Sequence, residues 1–214
     1  MVGKAYRRWQ RTILHSVKVT PLDLPLAAAL RHLEPLDMGS QRVLFLSTKS
    51  PWSACFDNGA KGGNPSTFVG YLAEKLRCRG VACSSIPNTL TGADTAAKRG
   101  TWGAVTFTLF APERREFLNI ERSVSAINDV GGWEFNTVGS AQGFEQVERY
   151  SARRIAERFT AEMLEEYGRA LGLELFDETF YGGAGLITQA APWFLRRLPG
   201  TTLADARRQL GLGD

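Results

Sequence analysis

Histidine and cysteine are scarce: the 214 residues hold two His, His15 and His32, and three Cys, Cys55, Cys78 and Cys83. Two separated imidazoles and three thiols do not supply the convergent nitrogen and sulfur ligands of a tetrahedral zinc site, so no metal is expected. An odd cysteine count, with no apolar leader ahead of it, points to three reduced thiols and a cytoplasmic setting. Long apolar runs are absent as well. Nothing approaches the ~20 residues that span a bilayer, which predicts a soluble chain with no membrane association. No lipidation signal is present.

Nucleotide motifs are also missing. Gly59-Ala-Lys-Gly-Gly-Asn-Pro-Ser66 has the glycines of a phosphate loop, but a P-loop needs Gly-x4-Gly-Lys-Ser/Thr so that lysine and hydroxyl reach phosphate and metal. Here Lys61 precedes Gly62 and Gly63, and Pro65 removes an amide donor. Strands do not alternate strictly with helices, which argues against a doubly wound dinucleotide fold. No cofactor is expected.

What is present suits a folded core. Apolar residues make up 43% of the chain and charged residues 22%, and 12 Phe with 5 Trp supply large side chains to bury. The formal charge is +4. Basic residues gather at Lys4, Arg7, Arg8 and Arg11, at Arg149, Arg153, Arg154 and Arg158, and at Arg196, Arg197, Arg207 and Arg208. Glu145, Glu148 and Glu157 balance much of the second group, so a solvated helix face explains it. With no aromatic RNP-like strand, zinc finger or basic heptad, nucleic acid is the least favoured partner.

The local patterns predict an α+β protein. Residues 1–20 read as a basic N-terminal arm and residues 21–214 as a single α+β domain. Thr20-Pro21-Leu22-Asp23 has the form of a helix start, with a start one turn later at Pro25 as the alternative. Arg42 to Ser47 reads as a buried strand and Trp52 to Phe56 as its hairpin partner. Phe68, Val69, Leu72, Ala73 and Leu76 share a helix face, with Gly80 as the stop. Val81 to Ile86 follows as a short strand.

Period-two alternation over Trp102 to Phe110, a second run from Glu116 to about Ala126 and a third over Trp133 to Val138 predict an antiparallel meander across 102–138. That sheet is expected to be covered by helices from both chain ends. Ile155, Phe159, Met163, Tyr167 and Leu171 recur at helical spacing from Ser151 onward, with Thr160 as a cap for a second helix. Gly182 to Gly185 reads as a break after the acidic and aromatic run Phe176 to Tyr181. A capping pattern at Thr202 opens a last helix that stops at Gly211.

The loop from Trp52 to Asn64 has the composition of a recognition surface. Trp52, Phe56, Asp57, Asn58, Lys61 and Asn64 combine aromatic bodies with polar tips, and the glycines allow a partner to approach closely. Cys55 as a nucleophile, with His15 or His32 as base and Asp57 as orienter, has no local motif behind it, and a core thiol is the simpler expectation.

Glu121 and Glu134, on the polar side of the meander, supply a candidate acid–base pair. On that reading Arg122, among apolar neighbours, needs a buried partner such as Glu134 or Glu145. The leading functional expectation is a non-enzymatic, bacterial-type cytosolic binding protein that acts on another protein as an inhibitor, immunity or accessory factor. A metal-independent hydrolase or transferase using Glu121 and Glu134 is second, and nucleic-acid binding through the arginine clusters is third.

Overall fold

Gly3, Tyr6 and Gln10 recur at helical spacing, and in the computed structural model of the protein all three are buried on one side of a helix within the segment expected to be an arm. The structure describes residues 1–12, 15–36, 42–59, 66–90, 100–129, 132–192 and 200–212. In chain order the elements are α1 (Val2–Thr12), β1 (His15–Asp23), α2 (Leu26–Leu30), β2 (Arg42–Thr48), β3 (Ser53–Asp57), α3 (Ser66–Leu76), β4 (Gly80–Ile86), β5 (Ala104–Phe110), β6 (Ile120–Asp129), β7 (Gly132–Val138), α4 (Ala161–Ala170), β8 (Tyr181–Pro192) and α5 (Leu203–Gln209). The class is α+β with antiparallel sheets. Contacts group the chain into two units, Met1–Phe68 with Gly172–Ala206, and Val69–Leu171 with Arg207–Asp214.

The first unit holds a four-stranded antiparallel sheet in the order β1-β8-β2-β3. The register puts Phe45, Leu186 and Thr188 on one face and Leu44, Leu46 and Ile187 on the other. α1 covers the first face, with the Tyr6 ring 5.3 Å from Phe45 and 5.5 Å from Phe68. α2 and the 3-10 turn Arg31–Leu33 cover the second, where Leu26, Ala29 and Leu33 pack on Leu44 and Leu46. The N-terminal arm of the sequence reading is thus corrected. Tyr6 is 1% exposed because the aromatic stripe of α1 has a sheet to bury against.

Two further expectations change here. Thr20 to Asp23 is the end of β1 rather than a helix start, and the helix begins one turn later after Pro25, the alternative position. Gly182 to Gly185 does not break structure but lies inside β8, between β1 and β2 in the sheet. Gly185 is required there by close approach. A Cβ at this position would stand 2.6 Å from the Phe45 carbonyl oxygen.

The second unit is the predicted meander with one added strand, in the order β4-β5-β6-β7. Phe107, Val124 and Ala126 form its buried face, and α4 packs there through Tyr167, whose ring meets Phe107 edge-on at 5.9 Å. The helix predicted from Ser151 starts at Ala161. Residues Val147–Ser151 and Ile155–Glu157 are 3-10 turns, and the Thr160 side chain accepts a hydrogen bond from the Met163 amide as the predicted cap. α3 ends through Arg77 at φ +52°, with Cys78 N–H bonded to the Ala73 carbonyl, while Gly80 opens β4. Thr202 and Asp205 cap α5 reciprocally.

Candidate functional site

The residues of the predicted recognition loop divide into those the fold uses and those it leaves at the surface. Lys61 and Asn64 lie outside the described residues. Asn58 is 2% exposed. Its Oδ1 accepts the Arg42 amide at 2.8 Å and its Nδ2 donates to the Pro35 carbonyl at 3.0 Å, while its own amide bonds to the Arg42 carbonyl. It clamps the segment before β2 to the end of β3, and it has no surface to offer a partner. Asp57 accepts the Gly59 amide at 2.8 Å, an Asx turn. Phe56 is half-buried with its ring 5.5 Å from Tyr181. Trp52 is half-buried at the turn between β2 and β3, where its carbonyl accepts the Thr48 hydroxyl at 2.7 Å.

The acid–base candidates do not converge. On β7, Glu134 pairs in register with Ile127 on β6, six residues along from Glu121. At a rise of ~3.3 Å per residue that separation is about 20 Å, whereas paired catalytic carboxylates stand roughly 5–9.5 Å apart. Glu121 instead meets Arg79 at 3.6 Å, and Glu134 is exposed. The face between them carries hydroxyl pairs, Ser84 with Thr106 at 2.8 Å and Thr108 with Ser123 at 3.2 Å. Asn119, within the run Glu116 to Ala126 expected as a strand, sits instead in the turn before β6 at φ +62° and donates to the Gly70 carbonyl.

A denser polar cluster lies on the buried face of the same sheet. Arg122 and Glu145 form a bidentate pair, Glu145 also accepts the Tyr150 hydroxyl at 2.7 Å and the Gln142 amide at 2.9 Å, and Tyr150 and Tyr167 share a hydrogen bond of 2.9 Å. Burial pushes the Tyr150 and Tyr167 phenols above their ordinary range, so both stay neutral at neutral pH. The donors and acceptors satisfy one another, and the cluster holds the sheet to its covering segment. It is a structural network.

The open site is in the first unit. A cleft of about 680 Å³ is bounded by Asp23 to Ala27 where β1 leads into α2, by Thr48 and Lys49 at the end of β2, and by Glu178 to Gly183 where a 3-10 turn leads into β8. A register shift makes it: between the pairs Leu46–Gly185 and Thr48–Tyr181, β2 advances two residues and β8 four. The surplus bulges out at Gly182 and Gly183. Gly183 has φ +79°, a conformation open to glycine.

Leu26 and Phe180 are buried beneath the cleft, and Asp23, Lys49, Glu178 and Thr179 stand exposed at its rim. Lys49 Nζ donates to the Thr179 hydroxyl at 3.0 Å, and Thr179 in turn donates to Asp177. Those two bonds from Thr179 hold the Asp177 carboxyl below its ordinary range. No cysteine or histidine lines the cleft. The arrangement sets charges of both signs above an apolar floor.

The sequence signal of this cleft is the acidic and aromatic run Phe176 to Tyr181 followed directly by glycines, which by itself reads as a break. Phe56 adjoins the cleft through Tyr181, and Trp52 through Thr48, so two of the predicted contact residues border it. Among the described residues no group of three or more His, Cys, Asp and Glu could hold a metal ion, and no helix is long and apolar enough to cross a membrane. Cys55 lies on β3, Cys78 after α3 and Cys83 on β4, and among the described residues none of them is in a disulfide. Burial raises the Cys83 thiol to about 11. Compared with protein-family models, curated proteins and solved structures, the chain matches none.

Proposed function

We propose that this chain is a binding protein of the bacterial cytosol that acts on another protein, as an inhibitor, immunity or accessory factor, and that the first-unit cleft with its bordering hairpin is the contact surface. The observation that carries this reading is the cleft itself. Its apolar floor and rim of Asp23, Lys49 and Glu178 have the anatomy of a protein interface, and Trp52 and Phe56 supply the aromatic types that concentrate interface energy. The hydrolase or transferase reading lost its geometry when Glu121 and Glu134 separated along the sheet.

The test replaces Asp23, Lys49 and Glu178 together by Ala. All three are exposed, so thermal stability should stay within a few degrees of wild type, surface substitutions being worth about 0.5 kcal/mol or less each. Affinity for the partner captured by wild type should fall at least about tenfold, roughly 1.4 kcal/mol. Equal recovery of that partner by wild type and variant in quantitative side-by-side capture would move the contact surface away from the cleft.

A further inference from the structure

The chain's excess positive charge has a single address. Residues 1–22 hold five Lys and Arg and no Asp or Glu, so the remaining 21 basic and 22 acidic side chains leave the rest of the protein at −1. Four of the five cations are Lys4, Arg7, Arg8 and Arg11 of α1, spaced i, i+3, i+4, i+7. That spacing puts them within an arc of about 100° and along about 10 Å of helix. All four are exposed, and among the described residues none is paired with an acid. Lys18 lies on the sheet face away from α1, with Gln189 and Arg42, and is not part of the stripe.

We infer that the outward face of α1 is a docking surface for the phosphate backbone of nucleic acid. A basic amphipathic helix taken alone would equally suit an anionic membrane, where its apolar side inserts among the lipids. Here that side is occupied. Tyr6 is 1% exposed against Phe45 and Phe68, and Trp9 is half-buried with its ring 5.9 Å from Phe68. The four charges are the exposed part of the helix from Gly3 to Arg11.

Three of the four are arginines, whose planar donor fork matches phosphate oxygens in pairs. Because Tyr6 is buried and Trp9 is held half-buried against Phe68, no fully exposed ring accompanies the cations, and contact is with the backbone and independent of base sequence. A duplex, with a phosphate charge per roughly 1.7 Å of axis, presents several phosphates over the length of the stripe.

The experiment is fluorescence anisotropy with a labelled DNA duplex of arbitrary sequence, titrated with the full chain at several KCl concentrations between about 50 and 200 mM. Wild type should bind, with log K falling against log [KCl] at a slope of about −3 to −4, near 0.9 per phosphate for four contacts. The variant K4Q/R7Q/R8Q/R11Q should lose at least tenfold in affinity at the lowest salt, and each single substitution should reduce the slope by about 1. The charge-matched control R114Q/R115Q/R149Q/R153Q, which neutralises four exposed arginines elsewhere, should stay within twofold of wild type.

No binding by wild type at low salt would overturn the inference, as would an equal loss in the control, which would reduce the effect to net charge. Binding to phosphatidylserine vesicles without binding to duplex would overturn it in favour of a membrane. These variants leave Asp23, Lys49 and Glu178 intact, so their outcome is separate from that of the cleft.

Discussion

Arg122 and Glu145 face each other through two parallel hydrogen bonds, Nε to Oε1 at 2.8 Å and Nη2 to Oε2 at 2.6 Å, with side chains 4% and 0% exposed. Nη1 of Arg122 donates to the Gly139 carbonyl at 2.7 Å, so the guanidinium also fixes the chain just after β7. Twenty-three residues separate the two partners. The pair therefore joins β6 to the segment that follows the meander.

Removing one partner leaves a buried charge without compensation. Glu145→Ala should cost about 3–5 kcal/mol in urea unfolding. A loss under about 1 kcal/mol would show that the guanidinium reaches water when unpaired. The pair also sets an acid limit: burial alone would raise the Glu145 carboxyl, but bonds from Arg122, Gln142 and Tyr150 outweigh it and hold it below its ordinary value of 4.5. A depressed carboxyl contributes stability above the unfolded value and loses it as pH falls through the folded one. Wild type should thus lose stability below about pH 4.5 more steeply than Glu145→Gln.

Tyr6 sets a limit in alkali. Its burial against the sheet raises the phenol to about 12, partly offset by the hydrogen bond from Gln10, while the nearby Asp57 and Cys55 add to the rise. A raised phenol stabilises the fold fully below the unfolded value of 10 and loses that contribution as pH climbs through 12. The difference in unfolding free energy between wild type and Tyr6→Phe should accordingly shrink across that interval. A constant difference in chemical unfolding measured from neutral pH to 12 would refute a buried, neutral Tyr6.

Asn58 and Asp57 are adjacent but should behave differently. Asn58→Ala strands the Arg42 amide and the Pro35 carbonyl and should destabilise by about 1–3 kcal/mol. Asp57→Ala loses one local turn bond and should cost about 1 kcal/mol or less. Thermal melts of the two single variants decide the matter; equal, negligible losses would mean the clamp does not form.

Phe159 is fully buried against Tyr167, with ring centroids 5.4 Å apart. Phe159→Ala should cost about 3–5 kcal/mol. Chemical denaturation showing less than about 1 kcal/mol would place this ring at the surface.

The sequence carried the second unit well because its signals are local. Alternation within Trp102 to Val138 reports a sheet with one buried face, so the three strands of the meander were legible, although the second starts at Ile120 rather than Glu116, where a turn intervenes. Arg122 on the apolar side of β6 demanded a partner, and Glu145 was one of two named. α4 starts ten residues after Ser151 because the four-residue spacing from Ile155 runs through 3-10 turns before Thr160 caps the helix.

The first unit was legible only in its hairpin. β8 runs through Gly182, Gly183 and Gly185, residues that weaken a strand locally and are tolerated because Phe45 and Leu46 approach too closely for a side chain at Gly185. β1 pairs with a strand more than 150 residues away, a contact no local window contains.

Composition and periodicity alone determined the α+β class, the strands of the meander and the capped ends of α4 and α5, since each depends on residues near one another in sequence. Tertiary structure decided the rest. It turned the basic arm into a helix whose cations face outward, made Asn58 a clamp, separated Glu121 from Glu134, and opened a cleft where β8 carries more residues than β2 can pair. Long-range pairing sets which side chains meet, and it is fixed by burial and register across the whole chain rather than by any segment of it.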